Sequence, residues 1–425
     1  MQLRLYAFAL SLLFCGALHA QGLSRAWTPE NVGFSSERLA RLSAAMQAGV
    51  DKGEIPGAIV VVGRNGRVAY QEKFGFRDRE AKAPMEHDSI FAIASMTKPL
   101  VSLGIMMLME EGRMSLADPV SRYLPELKDL KVGVEKPDAS GKNALTLENA
   151  RWQITIQDLL RHTSGITYGV FGRSMVKDLY NGAKMLDSGQ TNAEMVSKLA
   201  KLPLAFHPGT TWDYGMSTDV LGRVIEVVSG MSLDRFLEER ITRPLKMPDT
   251  GLWMAAAKHS RIAFAQANPE TGKRPAVTDI SQPRTFLSGG GGMASTAADY
   301  ARFCQFLLNG GELDGVRLVS RKTIDLMTAD HVPPDARYIS GMNANAPGPE
   351  NGQGFGLGFA VRVQAGRTIV PGTVGDYSWG GAWGTYFWVD PKERLYVVFM
   401  AQAPGEIRNH YRALLRNLVY QALLN

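Results

Sequence analysis

The feature that most constrains this chain is a β-rich texture found at both of its ends, around a middle of different character. Residues 57–63 and 67–70 are apolar and β-branched, and Arg64-Asn65-Gly66 joins them. An Asn-Gly pair between two such runs predicts a β-hairpin. Towards the C-terminus, residues 359–363, 384–389 and 395–401 predict further strands, and residues 408–424 a closing helix. Ahead of the hairpin, Ser35 or Ser36 caps an amphipathic helix that carries Leu39, Leu42, Met46 and Val50 and ends near Gly53. The two ends together predict one antiparallel sheet flanked by N- and C-terminal helices.

Between the ends, residues 100–111, 156–161, 219–228 and 233–240 read as helices separated by loops containing Gly and Pro. The expected fold class is therefore α/β (α+β), with a mostly helical domain, 106–284, inserted between the two parts of an α/β domain, 21–105 and 285–425. A chain of 425 residues can bury a core of that size. The 45% hydrophobic and 21% charged residues give no tract that would stay disordered.

Residues 1–20 have the layout of a secretory signal peptide: Arg4, an apolar run from Leu5 to Cys15 broken by Ser11, and a small residue at Ala20. Cleavage after Ala20 implies a periplasmic or secreted protein. The apolar run is too short to span a bilayer, so stable membrane insertion is not expected. Cleavage also removes Cys15 and leaves Cys304 as the sole cysteine, which excludes an intramolecular disulfide in the mature chain. Cys304 lies in an apolar stretch and reads as a buried, inert thiol. The net charge of +6 comes from Lys and Arg spread along the chain, which implies a solvated basic surface and no nucleic-acid partner.

The chain has no Cys-x-x-Cys pair, His-Glu-x-x-His, phosphate loop, dinucleotide turn or Gly-x-Ser-x-Gly elbow. Its seven histidines are scattered, so no metal and no cofactor are expected; His162 is read as capping or supporting a helix end. What remains is Ser95-Met96-Thr97-Lys98. Residues three apart share a helix face, so the Lys98 amine comes within reach of the Ser95 hydroxyl and can take its proton. The tetrad occurs again at Ser174–Lys177, where polar neighbours suggest a surface loop. Ser95 instead leads into Leu100, Val101, Leu103, Met106 and Met107, the signature of a buried helix whose N-terminus can stabilise an oxyanion.

Two further segments fit around Ser95. Tyr214 stands in a loop ahead of the helix expected from Asp219, and a lysine cation beside it would favour its phenolate. Trp379-Gly380-Gly381-Ala382 is a glycine-rich entry to a strand, where backbone can approach a ligand closely. In this order, with His162-Thr163-Ser164-Gly165 and the loop Ser288-Gly289-Gly290-Gly291-Gly292-Met293, the chain resembles the class C β-lactamase and penicillin-binding family. Within that group it looks most similar to the family VIII carboxylesterases.

The resemblance implies Ser95 as nucleophile, Lys98 and Tyr214 as general base and acid, and an oxyanion hole from the backbone N–H groups of Ser95 and Ala382. It implies substrate contacts from Trp379, Gly380, Gly381, Met216 and Tyr168. The chain departs from the β-lactamase pattern where Met216 replaces the Asn of Tyr-x-Asn, and where Trp379-Gly380-Gly381 replaces Lys-Thr-Gly. A neutral aromatic there suits a neutral ester better than an anionic lactam. The expected function is hydrolysis of a small carboxylic ester through a Ser95 acyl-enzyme. The alternatives are a β-lactamase or D,D-peptidase, and a catalytically silent binding protein.

Overall fold

The computed structural model describes residues 22–339 and 346–425, so the expected signal peptide lies outside the described residues. In chain order, the elements around the site begin with helix α1 (Ser36–Asp51), strands β1 (Gly57–Arg64), β2 (Arg67–Asp78), β3 (Ala83–Pro84) and β4 (Ile90–Ala92), and helix α2 (Thr97–Glu110). Helices α3 (Ile156–Leu160), α4 (Met175–Gly182) and α5 (Ser217–Ser229) follow, then β5 (Ala294–Thr296) and α6 (Ala297–Leu308). The chain closes with β6 (Gln353–Phe355), β7 (Ala360–Arg362), β8 (Tyr377–Gly380), β9 (Tyr386–Asp390), β10 (Leu395–Met400) and α7 (Ile407–Tyr420).

The principal sheet is antiparallel and runs β6-β7-β8-β9-β10-β1-β2-β3, so the two ends of the chain meet at the β1–β10 pair, with Val61 opposite Val398. Alternation along these central strands divides their side chains between two cores, because successive residues point to opposite faces. Val60 and Val62 of β1, with Val397 and Phe399 of β10, pack under α1 and α7. Ile59 and Val61, with Val398 and Met400, face the core shared with α2, α5 and α6. Both faces are covered, which is why β1 as far as Gly63 and β10 throughout are apolar instead of alternating with polar residues.

The helical segments lie where expected, with ends shifted by a few residues. Residues 238–242 form a π-helical turn in place of the last turn of the expected 233–240 helix. The domain division expected at residue 105 falls inside α2, which runs unbroken to Glu110. α2 is buried on all sides between the sheet-side core and α5, consistent with its nearly continuous apolar sequence. Cys304 is a free, buried thiol in α6, and burial raises its pKa well above the usual value, as an inert core thiol requires. Among the described residues, no helix is long and apolar enough to cross a membrane.

Candidate active site

Ser95 lies in a 3-10 turn, Ala94–Met96, between β4 and the start of α2. Ala94 carries φ 44°, a left-handed conformation that costs a non-glycine residue energy and persists only where surrounding contacts impose it. Those contacts are present: Ile93 N donates to Met293 O at 2.9 Å, Met293 N to Thr97 Oγ1 at 3.0 Å, and the Tyr300 hydroxyl to Met96 O at 2.9 Å. The glycine-rich loop and α6 thus hold the turn that presents Ser95.

Lys98 follows one turn later and is 1% exposed. Its Nζ lies 3.3 Å from Ser95 Oγ and 3.4 Å from the Tyr168 hydroxyl, and it donates to Gly290 O at 2.6 Å. The i,i+3 geometry expected from the tetrad is therefore present. A Cβ at Gly290 would lie 2.3 Å from Asp219 Oδ2, so a side chain there would displace the Asp219 carboxylate. Asp219 Oδ1 accepts from Gly290 N at 2.9 Å and from Ser288 Oγ at 2.6 Å, and this anchors the loop whose carbonyl meets Lys98.

Two tyrosines flank the amine in different ways. The Tyr214 ring lies 4.6 Å from Lys98 Nζ, and its oxygen accepts a hydrogen bond from Trp379 Nε1 at 3.3 Å. Tyr168, which the resemblance made a substrate contact, turns its hydroxyl inward between Lys98 and Asp219 Oδ2, the latter at 3.4 Å. Burial, and then the Asp219 carboxylate, holds the Tyr168 pKa well above 10. Tyr168 is therefore a neutral phenol at physiological pH. His162 stands at the end of α3 with its ring 4.9 Å from Tyr214, and its Nδ1 accepts from Gly215 N at 3.4 Å. Burial, and then the charge of Lys98, holds its pKa well below 6.5, so it supports the Tyr214 loop as a neutral ring.

A pocket of about 250 Å³ opens over Ser95, walled by Tyr214, Trp379, Gly380, Gly381 and Ala382. Met216 is not part of that wall. It is 1% exposed and packed into the core at the N-terminus of α5, where its side chain is a hydrophobic anchor. Trp379 reaches the pocket, yet it is buried and braces Tyr214 through its indole N–H.

The pocket also holds cations that the sequence reading did not place there. Arg408 and Arg412, from the first turns of α7, line it together with Phe171 and Glu406. Arg408 Nη1 donates to Ala382 O at 3.0 Å, and Arg412 Nη2 to Gly381 O at 2.6 Å and Thr385 O at 3.1 Å. Burial, and then the neighbouring Arg408, pushes the Arg412 pKa down to about 10, so the guanidinium stays charged at neutral pH. The absence of a cation at Trp379 therefore does not leave the pocket uncharged, and that argument for a neutral substrate loses its force. The i,i+4 spacing of the two arginines was visible in the sequence, but the sheet order that brings α7 beside β8 was not.

The second tetrad also differs from expectation. Ser174 caps α4 by accepting from Lys177 N at 3.1 Å. Lys177 is buried, not on a surface loop, and its Nζ lies 3.3 Å from Asp213 Oδ1. The amine that could have activated Ser174 is committed to an ion pair behind Tyr214. Among the described residues, no group of three or more His, Cys, Asp or Glu side chains is placed to hold a metal ion.

Comparison with known proteins identifies the family of the chain. The β-lactamase family model matches residues 42–421. An uncharacterized protein of Mycobacterium tuberculosis is 34% identical over 84% of this chain and 88% of its own length. Esterase EstB of Burkholderia gladioli is 30% identical over 86% of this chain and 91% of its own. Among solved structures, EstCE1, described as a hydrolase with promiscuous acyltransferase activity, superposes with a TM-score of 0.73 at 26% identity, covering 90% of this chain and 99% of that one. With a family match across nearly all of the described residues and an esterase among its relatives, the chain belongs to the β-lactamase family of serine hydrolases, on the side that resembles the family VIII carboxylesterases.

Proposed function

We propose that the protein hydrolyses carboxylic esters of small molecules through a covalent acyl-enzyme on Ser95. The observation that carries this reading is the Lys98 amine 3.3 Å from Ser95 Oγ, at the floor of a pocket whose wall includes Tyr214. Ser95 Oγ attacks the ester carbonyl carbon and its proton passes to the Lys98/Tyr214 pair. The bond to the alkoxide then breaks, and the same proton leaves with the alcohol. Water repeats the sequence on the acyl-enzyme and releases the acid.

Of the two tyrosines, Tyr214 suits proton transfer. Its oxygen receives the Trp379 N–H, a donor that stabilises negative charge arriving there, whereas the Tyr168 hydroxyl faces a carboxylate. The backbone N–H groups of Ser95 and Ala382, two residues that line the same pocket, are assigned to the carbonyl oxygen as it becomes an oxyanion. The name of esterase EstB supports ester chemistry in a chain of this kind, and the description of EstCE1 as a hydrolase supports hydrolysis. The leader at residues 1–20 supports export, and N-terminal sequencing of the mature protein should begin at Gln21.

A second reading, cleavage of a β-lactam or a D,D-peptide, is favoured by one observation: Arg408 and Arg412 offer charge to a substrate carboxylate. Hydrolysis of p-nitrophenyl butyrate measured beside nitrocefin decides between the two. A higher kcat/KM for the ester is expected, and a clear preference for nitrocefin would reverse the assignment.

A further inference from the structure

The second Ser-x-x-Lys tetrad supplies no nucleophile, yet its lysine stands behind the pocket over Ser95. Between Tyr168 and Ser174 the chain runs as a loop that brings Phe171 into the pocket lining. The Phe171 ring lies 5.7 Å from that of Tyr214 and 6.0 Å from that of Tyr168. The outer side of the loop is open, with Val170 70% exposed. Among the described residues, 169–173 make no backbone–backbone hydrogen bond, so the main chain's own bonding does not fix where Phe171 stands.

Helix α4 supplies that hold through two side chains. Lys177 and Asn181 are four apart and share one helix face. Asn181 Nδ2 donates to Gly169 O at 3.0 Å, and the Lys177 amine donates to Phe171 O. The same amine lies 3.3 Å from Asp213 Oδ1. Lys177 and Asp213 are both buried, and Asp213 is the residue before Tyr214. One buried cation therefore joins a wall of the pocket to the segment that carries the phenol assigned to proton transfer. The serine of the tetrad caps the helix, and the lysine holds the loop.

We propose that Lys177 is a positioning residue of the active site, which fixes Phe171 as a wall for the bound ester by tying its carbonyl to Asp213. This rests on the hydrolase reading above and adds to it a determinant of substrate fit that lies outside the residues around Ser95. Packing of a substrate group on an aromatic ring contributes up to about tenfold in binding, and only while the ring is held in place. Such packing is the same for bound substrate and for the transition state, so its loss appears in KM and not in kcat.

The test replaces the ion pair with apolar residues, Lys177→Met/Asp213→Leu, which leaves no buried charge unpaired. With p-nitrophenyl butyrate, and with kcat referred to active sites counted by a fluorophosphonate probe, KM should rise about five- to tenfold while kcat stays within about threefold. Lys177→Arg, whose guanidinium has donors for both acceptors, should stay within about twofold of wild type. Phe171→Ala should raise KM by a similar factor, and adding the paired substitutions to it should raise KM no further, because both act through one ring. An unchanged KM in the paired variant, or a further rise of the same size on top of Phe171→Ala, overturns the proposal. If the paired variant does not fold, Lys177→Met/Asp213→Asn takes its place with the same expectations. Tryptic cleavage after Arg173, which is exposed in the loop, needs no turnover of substrate and decides the tether by itself. Cleavage about tenfold faster in the paired variant than in wild type supports it, and equal rates refute it. A wild type that cleaves no ester but shows this difference would sink the hydrolase reading and leave the tether standing.

Discussion

Removing one hydroxyl at a time from Tyr168 and Tyr214 tests how the proton is handled, because the structure puts both phenols against Lys98 in opposite chemical settings. Tyr168→Phe removes two long contacts, the 3.4 Å hydrogen bonds to Lys98 Nζ and to Asp219 Oδ2. Net hydrogen bonds contribute about 0.5–1.5 kcal/mol each, and bonds at the long end of the range fall low in that interval. The expected cost is about 1 kcal/mol, or roughly fivefold in acylation rate. Tyr214→Phe removes the oxygen that accepts from Trp379 and is assigned to proton transfer. Its expected cost is about two to four orders of magnitude, the usual size of general acid–base effects. Stopped-flow acylation with p-nitrophenyl butyrate between pH 5 and pH 9 reads both effects. The Tyr168→Phe profile should keep the wild-type shape, since burial and Asp219 keep that phenol protonated throughout this range. A loss above about a hundredfold in Tyr168→Phe, with less than tenfold in Tyr214→Phe, would transfer the proton to Tyr168 and refute the assignment.

The remaining expectations concern other parts of the molecule. Ser95→Ala should abolish both ester hydrolysis and labelling by a fluorophosphonate probe, while Ser174→Ala should keep activity and lose about 1 kcal/mol of stability as a helix cap is removed; labelling that survives in Ser95→Ala would place the nucleophile elsewhere. Arg408→Ala should lower nitrocefin turnover more than p-nitrophenyl butyrate turnover, since only the lactam brings a carboxylate to that wall; equal effects would mean the guanidinium serves the backbone at Ala382 alone. Burial pushes the Asp299 carboxyl up to about 7, partly offset by its hydrogen bond from Asp249 N. The folded state then holds this proton after the unfolded state has released it, so stability falls as pH rises from about 4 to about 7, by at most about 1.4 kcal/mol per pH unit, and levels off above that. Urea unfolding at pH 5 and pH 8 should show this difference in wild type and a smaller one in Asp299→Asn; an unchanged difference would remove Asp299 as its source.

How much of the protein could be read from its sequence follows from the distance over which each interaction acts. The Ser95–Lys98 contact was legible because helical geometry alone brings residues three apart onto one face. The two-faced burial of β1 and β10 was legible in their continuous apolar runs, and the inert character of Cys304 in its apolar neighbours. Local signals were weaker where two uses of one motif had to be separated. Ser174–Lys177 has the same spacing as the first tetrad, and only the packing of α4 against the Tyr214 segment turns the Lys177 amine to Asp213.

The tertiary structure alone decided three features of the site. Tyr168 and Tyr214 are 46 positions apart in the chain, and which hydroxyl meets Lys98 depends on how the loop after α3 folds over α5. Met216 belongs to the core because α5 begins there and turns that side chain inward. Arg408 and Arg412 enter the pocket because the order β8-β9-β10-β1 sets the N-terminus of α7 against Gly381 and Ala382. Charge in the site is therefore set by strand order, a long-range property that no window of sequence contains, whereas the candidate nucleophile and its amine are set by a single turn of helix.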